Sequence, residues 1–278
     1  MLVYLNGNYI PEEEARISVD DRGFLFADGI YEVARIYKGR PFRMDAHIQR
    51  ARYGLRALEI HFDGIDELGS ITERLMAENG LEDADATVYL QVTRGAAPRR
   101  HAFPAGDVKP TMYAVVKPYV DHPADFWTKG VAAITVSDNR WARCDIKSVA
   151  LLANVLANQK AHAAGGFEAL FVRDGIVLEG SHSNLFAVYD GELVTYPASN
   201  YILTGITRTF VFELAEALGI PAREGLILEA RLFEADELFL SGTTTEVMPV
   251  VQVDGRPIAD GKPGPLSVKL QAALRERV

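Results

Sequence analysis

Hydrophobic and polar positions follow two different periods along the chain, and these periods predict both strands and helices. Over residues 30–37 the pattern alternates, which is typical of a β-strand with Tyr31 and Val33 on one face. After Asp45, a good N-cap residue, apolar residues recur every three or four positions as far as Leu58, which is typical of an amphipathic helix. The chain is therefore expected to mix both kinds of element.

The same two periods, together with turn residues, predict the remaining elements. Asn6-Gly7 is a hairpin signal that joins two short strands at residues 3–5 and 9–10. Further strands are predicted at residues 87–93, 111–117, 131–136, 168–172, 176–178, 184–189, 192–196 and 237–240. Further helices are predicted at residues 65–79, 148–164, 207–218, 229–234 and 266–277, with Ser148 and Thr207 as N-caps.

Residues 118–123 contain two prolines and little periodicity, which predicts a linker between two domains. We therefore expect a small N-terminal domain at residues 1–118, a linker at residues 119–123 and a larger domain at residues 124–278. Strands and helices are mixed without a strict βαβ order. The predicted fold class is therefore α/β in the mixed, α+β sense, with two units rather than one doubly wound sheet.

Composition excludes several classes of protein. The formal net charge is −9 and no Lys/Arg-rich run is present, which argues against binding to nucleic acid or to an anionic membrane. Cys144 is the single cysteine, so no intrachain disulfide can form and a reducing compartment is expected. The N-terminus does not resemble a secretory signal, and no run approaches the roughly 18 apolar residues of a membrane helix. A cytoplasmic location is expected.

Lys147 and Glu179 are the first candidates for chemistry. Most lysines at a helix start are solvated surface residues, and a glutamate at the end of a strand is commonly solvated too. At the start of the helix predicted from Ser148, however, the macrodipole disfavours the ammonium form of Lys147 and favours a nucleophilic amine. Gly180, directly after Glu179, lets the backbone pack against a flat group. The pair suggests pyridoxal phosphate, with Lys147 as its Schiff base and Glu179 on the pyridine nitrogen.

Such a cofactor also needs groups that orient its ring and hold its phosphate. The hydroxyls of Ser181 and Ser183, close behind Glu179, are suited to orienting a ring. A helix start, a threonine-rich turn after a strand and an arginine on the first long helix are suited to a phosphate. The residues concerned are Ile206, Thr207, Thr243, Thr244 and Arg50. Each is weak evidence alone, since such residues also occur as caps, turns and solvated faces.

The loop at residues 94–101 concentrates three arginines and a histidine around Pro98. An exposed charged loop is one interpretation. The other is a clamp for a substrate carboxylate, because arginine binds carboxylates through paired donors. Tyr31 offers a hydroxyl from its strand, and Val33 offers an apolar contact on the same face. No metal-ligand spacing, nucleotide-binding loop or serine-hydrolase motif is present.

Several motifs, matched in order along the chain, resemble those of the fold-type IV pyridoxal-phosphate enzymes, the class IV aminotransferases. The resemblance extends from Leu5 nearly to the C-terminus and is strongest to the members that act on D-amino acids. The motifs are DDRGFLFADGIYEV (20–33), QVTRGAAPRRHAFP (91–104), WARCDIKS (141–148), EGSHSN (179–184) and LSGTTTE (240–246). Their joint occurrence, rather than any one of them, makes the resemblance specific.

The resemblance implies a role for each candidate residue. Lys147 forms the internal aldimine and moves the proton between the substrate Cα and the cofactor C4′, while Glu179 keeps the pyridine nitrogen protonated. The residues that match the phosphate-binding set are Arg50, Ile206, Thr207, Thr243 and Thr244. The residues that match the trap for the substrate α-carboxylate are Tyr31, Arg99 and His101. In the family Arg99 and His101 would reach in from the neighbouring subunit, so a homodimer is implied.

The implied function is transamination of a D-amino acid, of the D-alanine or D-glutamate type, with a 2-oxo acid acceptor by a ping-pong mechanism. Two departures bear on side-chain preference: His182 stands where the D-amino acid enzymes carry serine, and Arg100 adds a charge beside the clamp. The alternatives on the same scaffold are a branched-chain L-amino acid transaminase, an (R)-amine transaminase and an aminodeoxychorismate-type lyase. A non-catalytic protein that binds a small molecule or pyridoxal phosphate is a further alternative, and it would require Lys147, Glu179 and the clamp all to be relics.

Overall fold

The computed structural model describes all residues 1–278 and shows two compact units. Unit 1 comprises Met1–Val120 and a short return segment, Ile146–Ala150. Unit 2 comprises Asp121–Asp145 and Leu151–Val278. Both units contain strands and helices, so the predicted mixed α/β fold class is confirmed.

Unit 1 is built on one sheet in which every neighbouring pair of strands is antiparallel. Its strands are β1 (Leu2–Leu5), β2 (Asn8–Pro11), β3 (Gly29–Tyr37), β4 (Arg40–Pro41), β5 (Ala86–Thr93) and β6 (Thr111–Pro118). Their order across the sheet is β2-β1-β6-β5-β3-β4. The helices are α1 (Arg22–Phe26), α2 (Met44–Ala57) and α3 (Leu68–Glu78), with 3-10 turns at Glu12–Glu14 and Gly64–Glu67.

The alternation along β3 explains why this strand carries both core and candidate site residues. Ile30 is buried against α2, so closely that a Cβ on Gly54 would come within 2.9 Å of its Cγ2. Glu32 shares that buried face, whereas Tyr31 and Val33 on the other face are only partly buried. The predicted strand and the predicted division of its two faces are confirmed.

Unit 2 is built on a larger, mixed sheet. Its strands are β7 (Val131–Ser137), β8 (Glu168–Arg173), β9 (Ile176–Gly180), β10 (Asn184–Tyr189), β11 (Glu192–Thr195), β12 (Ala222–Glu224), β13 (Ile227–Leu228), β14 (Glu237–Gly242), β15 (Glu246–Val253) and β16 (Arg256–Pro257). Across the sheet they follow the order β12-β11-β10-β14-β15-β7-β8-β9-β13, and β16 pairs with β15. A further pairing joins β9 to β10 at Glu179 and Asn184, so the central strands close into a ring.

The helices of unit 2 are α4 (Asp125–Lys129), α5 (Leu152–Ala163), α6 (Ile206–Leu218) and α7 (Pro265–Glu276), with a 3-10 helix at Glu229–Glu234. α6 follows the pattern of its sequence, since Phe210, Val211 and Leu214 are buried on one face. None of the helices in the chain has the length and apolar character that crossing a bilayer requires.

The predicted N-cap at Ser148 is wrong, because α5 begins only at Leu152. Ser148 instead belongs to the return segment, where it forms an antiparallel bridge with Ile30. The next N–H, of Val149, donates to the carbonyl of Gly29 at 3.1 Å. Backbone groups that pair with a strand cannot also form the first turn of a helix. The prediction of a single linker at residues 119–123 did not include this return segment. The predicted domain limits stay a prediction.

Two other predicted N-caps are also wrong, each by two positions. α2 begins at Met44, so Asp45 lies inside its first turn, and the N-cap is Arg43 in the left-handed region with a φ of 53°. α6 has Gly205 as its N-cap, so Thr207 lies inside the first turn. Both helices exist as predicted, but neither has a capping side-chain hydrogen bond at its start.

Candidate active site

A buried ionic cluster joins β3 to α2 in unit 1. Glu32 is 1% exposed, and Arg50 donates from Nε to Glu32 Oε1 and from Nη2 to Glu32 Oε2, each at 2.8 Å. His47 Nδ1 lies 2.8 Å from Glu32 Oε2. His47 and Arg50 reach the same carboxylate because residues three apart share a helix face. Arg50, predicted to bind phosphate, thus uses two of its nitrogens for Glu32, and its role at a phosphate stays a prediction.

The charges of this cluster balance one another. Burial alone would raise the pKa of the Glu32 carboxyl, but the charge of Arg50 and the hydrogen bonds from Arg50 and His47 lower that pKa to about 2. Burial opposes the charge of Arg50 as well, yet Glu32 raises the guanidinium pKa. Burial lowers the pKa of His47, which leaves its ring neutral near pH 7. The cluster is a fixed ion pair with a neutral histidine beside it.

Lys147 is positioned by the return segment, which lies along β3. The N–H of Tyr31 donates to the carbonyl of Lys147 at 3.0 Å, and Lys147 Nζ lies 4.1 Å from the centroid of the Tyr31 ring. The charge of Lys147 contributes to the lowered pKa of His47. The argument from a helix macrodipole therefore fails, since no helix starts at this lysine. Backbone pairing with β3, rather than a helix end, fixes the position of Lys147.

The open face of β3 carries the predicted substrate residues Tyr31 and Val33. The Tyr31 ring stacks on that of Tyr89 in β5, with centroids 6.0 Å apart and planes 29° apart. The Tyr89 hydroxyl donates to Gln91 Oε1 at 2.8 Å. Val33 is directly opposite Tyr89 in the register of β3 and β5. Tyr31 is thus held between an aromatic neighbour and Lys147, with Val33 on the same face.

Arg99 and His101, the predicted carboxylate clamp, lie on the exposed loop after β5. Both pack against Phe26 of α1: Arg99 Cζ is 5.0 Å from its ring centroid, and the His101 ring centroid is 5.6 Å away. The carbonyl of Arg100 accepts a hydrogen bond from Arg22 Nη1 at 2.7 Å. The structure therefore brings Arg99 and His101 together at one aromatic ring.

Glu179 is the centre of a second buried cluster, in unit 2. Its carboxylate accepts from Arg140 Nη1 at 2.6 Å and from Asn184 Nδ2 at 3.0 Å. The N–H of Leu203 donates to it at 3.2 Å. The pairing of β9 with β10 brings Glu179 opposite Asn184, which fixes one of these donors. Every donor to the carboxylate therefore comes from a different part of unit 2.

The pKa of Glu179 is raised above its ordinary value, so its carboxylate is less readily ionised. Burial raises it to about 7, although Arg140 and the N–H of Leu203 act to lower it. Arg140 is shared, because its Nε also donates to Asp138 Oδ1 at 2.9 Å, and the negative charge of Asp138 further raises the pKa of Glu179. An additional positive group would stabilise the ionised carboxylate, and a protonated pyridine nitrogen is such a group.

A further buried carboxylate, Glu168, shapes the loop that follows Glu179. Its Oε1 accepts from the N–H groups of His182 and Ser183 at 2.6 and 3.0 Å, and its Oε2 accepts from the Ser183 hydroxyl at 2.8 Å. The Ser181 hydroxyl lies 3.4 Å from Oε1. Ser181 and Ser183 are buried, whereas the His182 side chain is exposed, with Nδ1 3.3 Å from Oε1. Glu168 thus orients both serines predicted to bind the cofactor.

The predicted phosphate-binding residues of unit 2 lie at a helix start and in a turn. Ile206 and Thr207 form the first turn of α6, and Gly205 before them gives no side-chain capping bond. The N–H groups at this helix start are therefore available to an anion, at the positive end of the macrodipole. Thr243 and Thr244 lie in the turn between β14 and β15.

The residues of unit 2 fit a flat, anionic cofactor. The hydroxyl of Ser241, just before the threonine turn, is buried and has no hydrogen-bond partner within the protein. A Cβ on Gly205 would come within 2.2 Å of Asn184 Oδ1, so the close approach of these two residues requires a glycine at position 205. The uncapped start of α6 suits a phosphate, and Glu179 suits a cationic ring nitrogen. These two features match the two charged ends of pyridoxal phosphate.

Three residues that hold Glu179 and the loop after it could not be recognised from the sequence: Arg140, Asp138 and Glu168. Asp138 and Arg140 lie in a polar stretch that resembles a surface turn, and the partner of Arg140 is 39 residues away. Glu32 did carry a signal, because a carboxylate on an otherwise apolar strand face requires an opposite charge nearby.

Residues 29–253 match the protein family described as amino-transferase class IV. The D-alanine aminotransferase of Staphylococcus aureus (strain N315) is 42% identical to the chain, over 99% of the chain and 97% of that protein. The D-alanine aminotransferase of Bacillus licheniformis is 43% identical, over 100% of the chain and 97% of that protein.

Solved structures show the same similarity. The branched-chain amino acid aminotransferase from Escherichia coli superposes with a TM-score of 0.90 at 28% identity, covering 99% of this chain and 92% of that one. A second branched-chain amino acid aminotransferase, solved with pyridoxamine 5′-phosphate, also has a TM-score of 0.90 at 28% identity, covering 99% of this chain and 93% of that one. The similarity therefore includes both units.

Proposed function

The chain belongs to the class IV aminotransferases and has their fold-type IV architecture, and on that premise we propose that it transfers the amino group of a D-amino acid to a 2-oxo acid. It is a pyridoxal-phosphate-dependent enzyme. D-alanine is the proposed donor, with D-glutamate as a second, because the D-alanine aminotransferases above align with almost the whole chain. The structural observation that carries the proposal is the placement of Arg99 and His101 together at Phe26.

Pyridoxal phosphate, when bound, supplies an aldehyde that combines with amines and a ring that accepts electrons from the substrate Cα. The residues proposed to hold it are Lys147, Arg50, Glu179, Ser181, Ser183, Ile206, Thr207, Thr243 and Thr244. Lys147 would provide the covalent attachment, and its Nζ would carry the proton that leaves Cα. Glu179, in its ionised form, would keep a proton on the ring nitrogen.

Substrate orientation is assigned to the residues around Lys147 and on the clamp loop. Tyr31, Arg99 and His101 are proposed to bind the α-carboxylate, for which arginine offers paired donors. Val33 supplies an apolar contact beside Tyr31. An enantiomer reacts only when its Cα–H bond points towards Lys147 Nζ, so the side on which the carboxylate is held decides between D and L.

The proposed functional form is a cytoplasmic homodimer in which the clamp loop serves the partner's site. Each unit exposes large apolar side chains, which are typical of subunit interfaces. In unit 1, Val19 and Phe24 are 74% and 78% exposed, and in unit 2 Leu152 and Val155 of α5 are 73% and 58% exposed. The single cysteine supports a reducing compartment.

The test is a half-reaction followed through the absorbance of the bound cofactor. D-alanine and, separately, L-leucine are added to the purified holoenzyme without any 2-oxo acid. The expected result is bleaching by D-alanine and none by L-leucine. Bleaching by L-leucine alone would overturn the D-amino acid assignment.

A branched-chain L-amino acid transaminase is the second candidate, because the solved structures reported above carry that activity in their names. The Arg99→Ala variant separates the two candidates. If Arg99 binds the carboxylate of a D-amino acid, substrate use falls far more than cofactor affinity. Equal losses of both would count against the clamp and favour the second candidate.

A further inference from the structure

The clamp loop, residues 94–101, is exposed at its tip but firmly anchored at its start. Arg94 is 8% exposed and donates from Nε and Nη2 to the two carboxylate oxygens of Asp28, at 2.8 and 3.0 Å. The same guanidinium donates to the carbonyls of Glu59 and Leu58, at 2.9 and 2.6 Å. Because all three nitrogens of this planar guanidinium donate hydrogen bonds, the Arg94 side chain has little freedom to move.

Asp28 connects this anchor to the tip of the loop. Its Oδ2 also accepts from Arg22 Nε at 2.7 Å, and Arg22 in turn donates from Nη1 to the carbonyl of Arg100 at 2.7 Å. Burial alone would raise the pKa of the Asp28 carboxyl, but the hydrogen bonds from Arg94 and Arg22 lower it. One ionised carboxylate therefore ties both ends of the loop to the chain just before β3.

α1 adds an aromatic surface beneath the tip. The ring of Phe26 has Arg22 Cζ at 4.8 Å, Arg99 Cζ at 5.0 Å and the His101 ring at 5.6 Å. The backbone also pairs here, since the N–H of Arg22 donates to the carbonyl of Gly95 at 2.9 Å. Arg99 and His101 are thus the exposed end of a stack that begins with the buried side chain of Arg22.

We propose that Arg22, Phe26 and Asp28 form a clamp platform that positions Arg99 and His101 for the substrate carboxylate. The proposal rests on the proposed function, because it requires that this loop binds a carboxylate. The three residues act through the clamp and do not touch the substrate. An arginine on an exposed loop loses much side-chain freedom when it binds, and packing it beforehand reduces that loss. In the homodimer the platform of one subunit serves the site of its partner.

The platform is tested by kinetics with D-alanine. Phe26→Leu keeps apolar volume but removes the ring face that the guanidinium and imidazole contact. The expected result is a KM about tenfold higher with kcat changed less than about twofold, which is the pattern for loss of binding that is equally strong in the ground state and the transition state. Pyridoxal phosphate affinity is expected to be unchanged. Asp28→Asn should give the same split, whereas Asp66→Asn, which alters an exposed pair with Arg52 in the same unit, should leave KM unchanged.

A mixed dimer distinguishes positioning of the clamp at the partner's site from a general loss of stability in the altered subunit. One subunit carries Lys147→Ala and the other carries Phe26→Leu, so the only subunit with the lysine has the altered platform. If the platform acts on the partner's site, this dimer retains one intact site and a wild-type KM. In the matched control both changes are in one subunit and the other is wild type, and KM is expected to rise. The opposite pattern would overturn action on the partner.

Failure of the inference is distinguishable from failure of the proposed function. Wild-type enzyme that D-alanine does not bleach overturns the proposed function, and KM is then measured with whichever amino acid does bleach it. An unchanged KM for that amino acid in both Phe26→Leu and Asp28→Asn overturns the platform. Equal falls in kcat and kcat/KM, or weaker cofactor binding, would also overturn it, since positioning of the clamp explains neither.

Discussion

Glu32 in unit 1 and Glu179 in unit 2 are both buried carboxylates bound by an arginine, yet their pKa values move in opposite directions. Burial favours the neutral form of each. For Glu32 that effect is overcome by Arg50, which donates twice, and by His47, so the pKa is about 2. For Glu179 burial prevails and the pKa is about 7, although Arg140 and the N–H of Leu203 lower it, because Asp138 pairs with the same arginine and its negative charge raises the pKa further.

Burial beside an arginine therefore does not by itself decide the charge of a carboxylate. Both carboxylates accept at least three hydrogen bonds, and the difference is that the arginine of Glu179 also pairs with a second acid. Glu32 is satisfied within the protein and acts as part of the structure. Glu179 is stabilised as an anion by Arg140 and the N–H of Leu203 but not enough to offset burial, and the cationic ring nitrogen of the cofactor is proposed to supply the remaining stabilisation.

The largest expected effect comes from Lys147, the proposed reactive group beside the Glu32 cluster. Lys147→Ala removes the amine that is proposed to attach the cofactor and to carry the proton. Turnover is expected to fall on the order of 10⁴-fold or more. Turnover assays are compared with Lys269→Ala, which alters an exposed lysine of α7. Near-normal turnover in Lys147→Ala would remove the basis of the proposed function.

Removing the charge of the Glu32 carboxylate should lower the stability of the protein. Glu32→Gln leaves the charge of Arg50 buried without its counter-ion, and the free energy of unfolding is expected to fall by about 3–5 kcal/mol. Urea unfolding of the apoenzyme measures this fall. The role of Glu32 as a structural counter-ion would be contradicted by a loss below ~1 kcal/mol, which is the size of an exposed pair.

The two carboxylates should also give the apoenzyme opposite pH dependences. Since the folded pKa of Glu179 is raised from 4.5 to about 7, the folded state binds its proton more tightly. Its contribution to stability is therefore present below about 4.5 and lost as pH rises through 7, by up to ~1.4 kcal/mol per pH unit. Glu32, lowered to about 2, contributes stability above 4.5 that is lost as pH falls towards 2.

Glu179→Gln is the variant that checks this sign. The difference in unfolding free energy between wild-type and variant apoenzyme is expected to slope downward between pH 4.5 and 7 and to be flat below. A difference that rises with pH over this range would show that Glu179 is held as an anion without any cofactor. Bound pyridoxal phosphate should reduce the slope.

The smallest expected effect comes from removing the second carboxylate with which Arg140 pairs, that of Asp138. Asp138→Asn removes a negative charge near Glu179 and leaves Arg140 with one carboxylate fewer. The pH at which apoenzyme stability falls should move down by up to ~1 unit. Asp145→Asn, which alters an acid paired with Arg143, is the control. If both variants shift the midpoint equally, sharing of Arg140 does not explain the raised pKa.

Much of the fold was predictable because it depends on local periodicity. The alternation of residues 30–37 predicted β3 and correctly placed Glu32 apart from Tyr31 and Val33. Lys147 and Glu179 were identified as candidates from motifs and their order, and their roles stay predictions. Helix starts were less predictable: Ser148 was expected to cap a helix, but the return segment uses its backbone to pair with β3.

Most of the elements, the family and the identity of the chemical groups could be predicted from the sequence, because periodicity and motifs depend on residues that are near one another in the chain. How these groups are charged and held depends on the tertiary structure. Arg140 reaches Glu179 across 39 residues, and Arg22 reaches Arg100 across 78. A pKa depends on every charge and dipole within a few ångströms, and folding alone brings those groups together.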